Sequence, residues 1–179
     1  GITNFQTGQV MGVPRLLYAF MRMESGRTAI EVGQDHMILA PRNPTSLAAM
    51  AFPDLYRSGN LYLRVPQARV EHSFAAGKSG EFLAVGGIVA PIAGDLAGNA
   101  LIFVPPNLAG ERSRRPAVQG RLAWRARPKS MDRDFEVGFS GHYGSEQYVG
   151  GAISSWATAL DFDAQAGRIG LGGEWYVGK

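Results

Sequence analysis

The stretch VQGRLAWRA, residues 118–126, decides the fold. Successive side chains of an extended chain point to opposite sides. Val118, Gly120, Leu122, Trp124 and Ala126 therefore share one face, and Gln119, Arg121, Ala123 and Arg125 the other. The next run repeats the division, with Phe135, Val137, Phe139, Gly141 and Tyr143 against Glu136, Gly138, Ser140 and His142. Trp156, Thr158, Leu160 and Phe162 then oppose Ser155, Ala157, Ala159, Asp161 and Asp163. Ile169, Leu171, Gly173, Trp175 and Val177 oppose Arg168, Gly170, Gly172, Glu174 and Tyr176. A period of two sustained over four runs predicts amphipathic β-strands.

Upstream the pattern is noisier. Thr28, Ile30 and Val32 oppose Glu31, Gly33 and Asp35 cleanly. Leu16, Tyr18 and Phe20 alternate with Leu17, Ala19 and Met21, which puts Arg22 on the aromatic parity, where it would snorkel to an interface. Leu61, Leu63 and Val65 read as outward, yet beyond Pro66 the outward residues are Ala68 and Val70, with Gln67, Arg69 and Glu71 inward. A bulge at Pro66 would account for the switch. The apolar, Gly-rich run Phe82 to Pro91 completes a set of about eight strands.

The connections alternate in length. A tight turn at Glu24, Ser25 and Gly26 is followed by a long span from Met37 to Asn60, and a short turn at 76–80 by a long span from Gly94 to Pro116. Tight turns are expected at Lys129 to Arg133 and at Asp163 to Arg168, with a medium connection at Ser145 to Gly151. Alternating short and long connections suit an antiparallel up-and-down transmembrane β-barrel, with short turns on the periplasmic side of an outer membrane. No run approaches the roughly 20 apolar residues of a membrane helix.

An Arg facing lipid at the bilayer midplane of a barrel costs about 2–4 kcal/mol, so Arg121 and Arg125 must face inward and the apolar rows outward. Aromatics at Trp124, Phe135, Tyr143, Trp156, Phe162 and Trp175 lie near strand ends, where interfacial girdles form. The same aromatics would also fill the core of a soluble sandwich.

The chain has 179 residues, no Cys, three His, 24 Gly and 10 Pro, which suits one domain spanning 1–179 and excludes a disulfide framework. The formal charge of +3 comes mostly from Arg, with Lys only at 78, 129 and 179, an unusual composition for a nucleic-acid face. The chain opens on Gly1 with no signal peptide in view, as expected of one shortened by processing or truncation. With short turns periplasmic, both ends of an eight-stranded unit fall on the outer side, and Tyr176 to Lys179 has no terminal aromatic. The expectation is a segment of a larger barrel.

Three segments carry a family resemblance. They are Glu31-Val32-Gly33-Gln34-Asp35 with Pro41-Arg42-Asn43-Pro44-Thr45; Tyr62 to Val70; and Leu160 to Asp163 with Arg168 to Tyr176. Together they resemble the large Gram-negative outer-membrane porins, in which a "GQ" strand, an "NPT"-like loop and an "RxPQxR" strand recur. Where that family has a second Arg before the proline, this chain has Val65. The resemblance implies passive uptake of small polar solutes through a water-filled lumen, an outer-membrane location, and a homotrimer with a long loop folded inward. No enzymatic activity and no cofactor are expected.

The residues themselves add candidate pore-lining groups: Arg64, Arg69, Arg121 and Arg125 facing Glu71, Glu136, Asp161 and Glu174. Such an array would set a transverse field, with its arginines favouring anionic solutes. Alternatively, the charges pair only to fill a polar interior. The segment Ile92 to Ala109, with apolar Leu101 to Val104, is expected either to fold into the mouth or onto a neighbouring subunit, or to form a short extracellular hairpin.

Several near-motifs fail. Gly77-Lys78-Ser79 lacks the upstream Gly of a P-loop, since His72 stands there. Gly138-Phe139-Ser140-Gly141-His142 ends in His where a nucleophile elbow needs Gly. Gly170 to Gly173 precedes no helix, and Pro44 blocks glycosylation of Asn43. His36, His72 and His142 have no metal-ligand spacing. Two alternatives stand beside the channel: a barrel hydrolase using Ser140 and His142, and a soluble β-sandwich binding module.

Overall fold

A strand with one apolar and one polar row still needs a neighbour for its backbone N–H and C=O groups, and a tight turn makes that neighbour the next strand in sequence. The computed structural model describes residues 2–4, 9–11, 18–39, 41–42, 64–77, 79–91, 109–126 and 133–179. Strands β1 (Ile2–Asn4) and β2 (Gln9–Met11) form a separate two-stranded ribbon. Strands β3 (Ala19–Ser25), β4 (Thr28–His36), β5 (Arg64–Ala76), β6 (Gly80–Val89), β7 (Ala117–Ala126), β8 (Arg133–Tyr148), β9 (Gly151–Ala166) and β10 (Ile169–Gly178) make one antiparallel up-and-down sheet in chain order. One helical turn, α1 (Ala109–Arg112), lies beside β8. The chain is thus all-β. The sheet is open: among the described residues β3 and β10 bound it without pairing to each other. Expectations for residues 13–17, 40, 43–63, 78, 92–108 and 129–132, the expected turn from Lys129 among them, lie outside the described residues.

Turn chemistry follows the sequence. Gly26 opens the two-residue β3–β4 turn with φ of 59°, the II′ arrangement whose twist matches paired strands. The β8–β9 connection is shorter than the spacing suggests. Ser145 pairs with Ser154 and Tyr148 with Gly151, so only Val149 and Gly150 remain as a turn. Small polar residues read as a loop, but on a long hairpin they pair as readily as any others.

Burial runs opposite to that of a water-soluble sheet. Leu122, Phe139, Leu160 and Trp175 form one row across four strands in register, and each is at least 50% exposed. Behind them Gln119, Ser140 and Asp161 are at most 1% exposed. The parity predicted for β7 to β10 is the parity found.

The covered face is concave. Leu39, three residues past the end of β4, packs on Ala159 of β9 and Tyr176 of β10. Strands lie about 4.8 Å apart, which puts β9 roughly 24 Å from β4 in a flat sheet. Three residues reach only about 11 Å, so the sheet must curl toward this segment.

Two upstream expectations are corrected. Met21 and Met23 are the outer residues of β3, opposite Val32 and Ile30, whereas Arg22 stands opposite Glu31 on the inner face. Pro66 makes no bulge: β5 pairs with β4 without interruption from Arg64 to His72. The Pro66 carbonyl accepts from the Ala90 N–H, so its nitrogen also points toward β6, one position past the last paired residue, Gln67. A missing donor costs the ladder nothing there. Val65 therefore faces inward, buried with Val89 and Ala117 beneath Met37.

Candidate functional site: a paired-charge inner wall

Odd-numbered residues of β4, β5, β6, β7 and β9 and even-numbered residues of β3, β8 and β10 line the inner face, and their charges gather into two networks. In the first, on β3 to β5, Arg22 meets Glu24 at 2.7 Å, Glu71 at 2.7 Å and Glu31 at 3.3 Å. Arg69 meets Glu71 at 2.9 Å and both Glu31 and Asp35 at 3.0 Å. Glu31 is buried, and two guanidinium groups converge on its Oε2.

The second network spans β7 to β9. Arg121 donates to Asp161 at 2.7 Å and to Glu136 at 2.9 Å, and Arg125 closes on Glu136 at 2.6 Å. Reaching Asp161 takes Arg121 over the intervening strand β8, and Gly138, opposite Asp161 in register, makes the path. A Cβ on Gly138 would sit 2.6 Å from Asp161 Oδ2 and inside the guanidinium of Arg121. Gly138→Ala is expected to break this pair and destabilise the protein by about 1–3 kcal/mol, as overpacking does. Gly141→Ala, on the outer face of β8 with open space around it, is the control and should be near neutral. Denaturant midpoints of the two variants check this.

A segment after β4 lies across the wall. The Leu39 N–H donates to Gln119 Oε1 at 3.0 Å, and the Gln67 amide donates to the His36 carbonyl at 2.7 Å. Arg42 then donates to Asp161 at 3.0 Å and to Glu136 at 2.7 Å. Residues 37–39, 41 and 42 thus lie as a strap between β4 and the charged centre of β8 and β9. Its ends are held by hydrogen bonds and its middle by Leu39.

Of the residues singled out from sequence, Arg121, Arg125, Glu136 and Asp161 come together in one network, and Arg69 and Glu71 in the other. Glu174 stands opposite Asp161 on β10, on the same face. Arg64 does not join them. With β5 unbroken it falls on the parity opposite to Arg69, its guanidinium 4.7 Å over the Tyr18 ring and its strand partner His36 bonded to the Tyr18 hydroxyl at 3.2 Å. Arg22, Glu24, Glu31, Asp35, Arg42 and Asp163, which Arg42 meets at 3.7 Å, are charged members that the field argument passed over. For Glu31 and Asp35 the signal was present, since both stand on the parity opposite Ile30 and Val32. Arg42 lies in a non-periodic connection and offered none.

The Ser140 and His142 pair does not form. Ser140 is fully buried and its Oγ has no hydrogen-bond partner among the described residues, while His142 Nδ1 faces the Gln119 amide at 3.0 Å. Compared with protein-family models, curated proteins and solved structures, the chain matches none.

Proposed function

We propose that this sheet is wall of a Gram-negative outer-membrane channel of porin type, part of a larger closed barrel, through which small polar solutes diffuse passively. The observation that carries the reading is the inverted burial: large apolar side chains exposed along one face, buried charge along the other. In water an apolar surface of this extent would seek a cover; a barrel in lipid needs it. Phe135 and Tyr143 are eight residues apart on β8, which is about 27 Å of strand. Tilted by about 40°, this rises about 21 Å along the membrane normal, most of the height of a barrel's lipid-facing band, roughly 25 Å. Closure with further strands would satisfy the edges of β3 and β10. Assembly as a homotrimer belongs to the porin resemblance and is part of the same proposal.

The full-length protein, folded in detergent and added to planar bilayers, is expected to give stepwise conductance. Inserted, folded protein that passes no current would sink the channel reading. The strap adds a second expectation. Arg42→Ala removes the anchor at Glu136 and Asp161, so single-channel conductance should rise relative to wild type. An unchanged step would mean that the strap does not narrow the path.

A further inference from the structure

We infer that Arg64 binds the phosphate of an anionic lipid headgroup, in the leaflet at the long-connection end of the sheet. The inference rests on the membrane reading of the outer face and concerns an arginine that the channel leaves unused. Arg64 stands on the outer parity of β5, away from the charged wall. No Asp or Glu of the described strand residues shares that parity. Arg22, Arg42, Arg69, Arg121 and Arg125 each engage a carboxylate, whereas among the described residues Arg64 meets none. Its Nε is buried without a hydrogen-bond partner among them.

Height places the group at a headgroup level. Phe74, an exposed outer aromatic, lies ten residues further along β5. Ten residues make about 34 Å of strand, which rises about 26 Å at a tilt of about 40°. A lipid-facing band is roughly 25 Å tall, so with Phe74 at one interface Arg64 lies at the other.

The guanidinium is also held. It lies 4.7 Å over the Tyr18 ring, and the Tyr18 hydroxyl is bonded at 3.2 Å to Nε2 of His36, the strand partner of Arg64. The Tyr18 and His36 rings meet edge to face at 5.4 Å. Stacking on a ring fixes the plane of a guanidinium and leaves the N–H groups at its edge to bond, and that fork matches two oxygens of a phosphate. Further down the same face Val70 and Ile88 are half-exposed, an apolar bed for acyl chains that a free phosphate would not use.

The test is native mass spectrometry of the full-length protein released from micelles that contain phosphatidylcholine and phosphatidylglycerol, the second of which carries a net negative charge. Wild type should retain phosphatidylglycerol in preference to phosphatidylcholine. Arg64→Gln should hold it about fivefold more weakly, the worth of one basic side chain at a lipid surface. Arg64→Lys keeps the charge without the fork and should fall between the two. Arg168→Gln removes the same charge from the exposed β9–β10 turn and should leave the preference as it is in wild type. Equal losses for Arg64→Gln and Arg168→Gln would overturn the site in favour of general charge. A wild type with no preference, or a preference that Arg64→Gln leaves unmoved, would overturn it as well. Inorganic phosphate in large excess should not displace the lipid; displacement would make this a site for free anions instead. Protein that enters neither micelles nor bilayers would overturn the membrane reading itself, and this inference with it.

Discussion

Arg121→Ala is expected to lower the unfolding free energy by about 3–5 kcal/mol, the usual consequence of removing one partner of a buried ion pair. Asp161 is fully buried and, among the described residues, takes donors from two groups, Arg121 and Arg42. The truncation strips its Oδ2 of the only donor given to it among the described residues. Arg125→Ala supplies the contrast. Its side chain is 30% exposed and its partner Glu136 retains Arg121 and Arg42, so a loss below about 1 kcal/mol is expected. Chemical denaturation of the detergent-folded protein measures both. The double replacement Arg121→Met with Asp161→Leu should recover most of the loss, because a well-packed apolar pair replaces a charged one without leaving a lone ion. Equal losses for Arg121→Ala and Arg125→Ala would show that burial does not set the worth of these pairs.

Phe139→Arg carries the second large expectation. Phe139 is 56% exposed and lies between Leu122 and Leu160 in register. On a water-facing surface such a change is usually within about 0.5 kcal/mol. At the midplane of a lipid bilayer it costs about 2–4 kcal/mol. Unfolding from liposomes should reveal the larger figure, with a smaller loss for Ile169→Arg near the β9–β10 turn, where the penalty falls toward about 0–1 kcal/mol. A neutral Phe139→Arg would remove the membrane reading and leave the outer face turned to water. This experiment is independent of conductance, so it separates a plugged barrel from a soluble sheet.

Much of the sheet was legible because its strands obey a period of two and because a charged side chain has few tolerable places. Arg121 and Arg125 alone orient β7, and register then carries that orientation through β8, β9 and β10. Legibility failed where an apolar residue was taken as an outer residue. Val65 is apolar, yet it belongs inside, because Met37 of the strap covers it together with Val89 and Ala117. Phe20 misled in the same way: it shares a parity with Arg22 and Glu24, while the methionines beside it face out.

What the sequence by itself determined is the alternation: which residues share a face, that the strands are antiparallel and sequential, and that one face must carry the charge. Each of these is local, set by backbone geometry and by the cost of exposing or burying a single side chain. Only the tertiary structure decided which charges meet. Arg121 reaches Asp161 because Gly138 lacks a side chain, and Arg42 arrives from 94 residues away in sequence to share Glu136. The sheet's curl brings β4 within reach of β9, and with it the strap that buries Leu39. Contacts of this kind depend on curvature, and curvature is summed over all the strands, so no single stretch of sequence displays it.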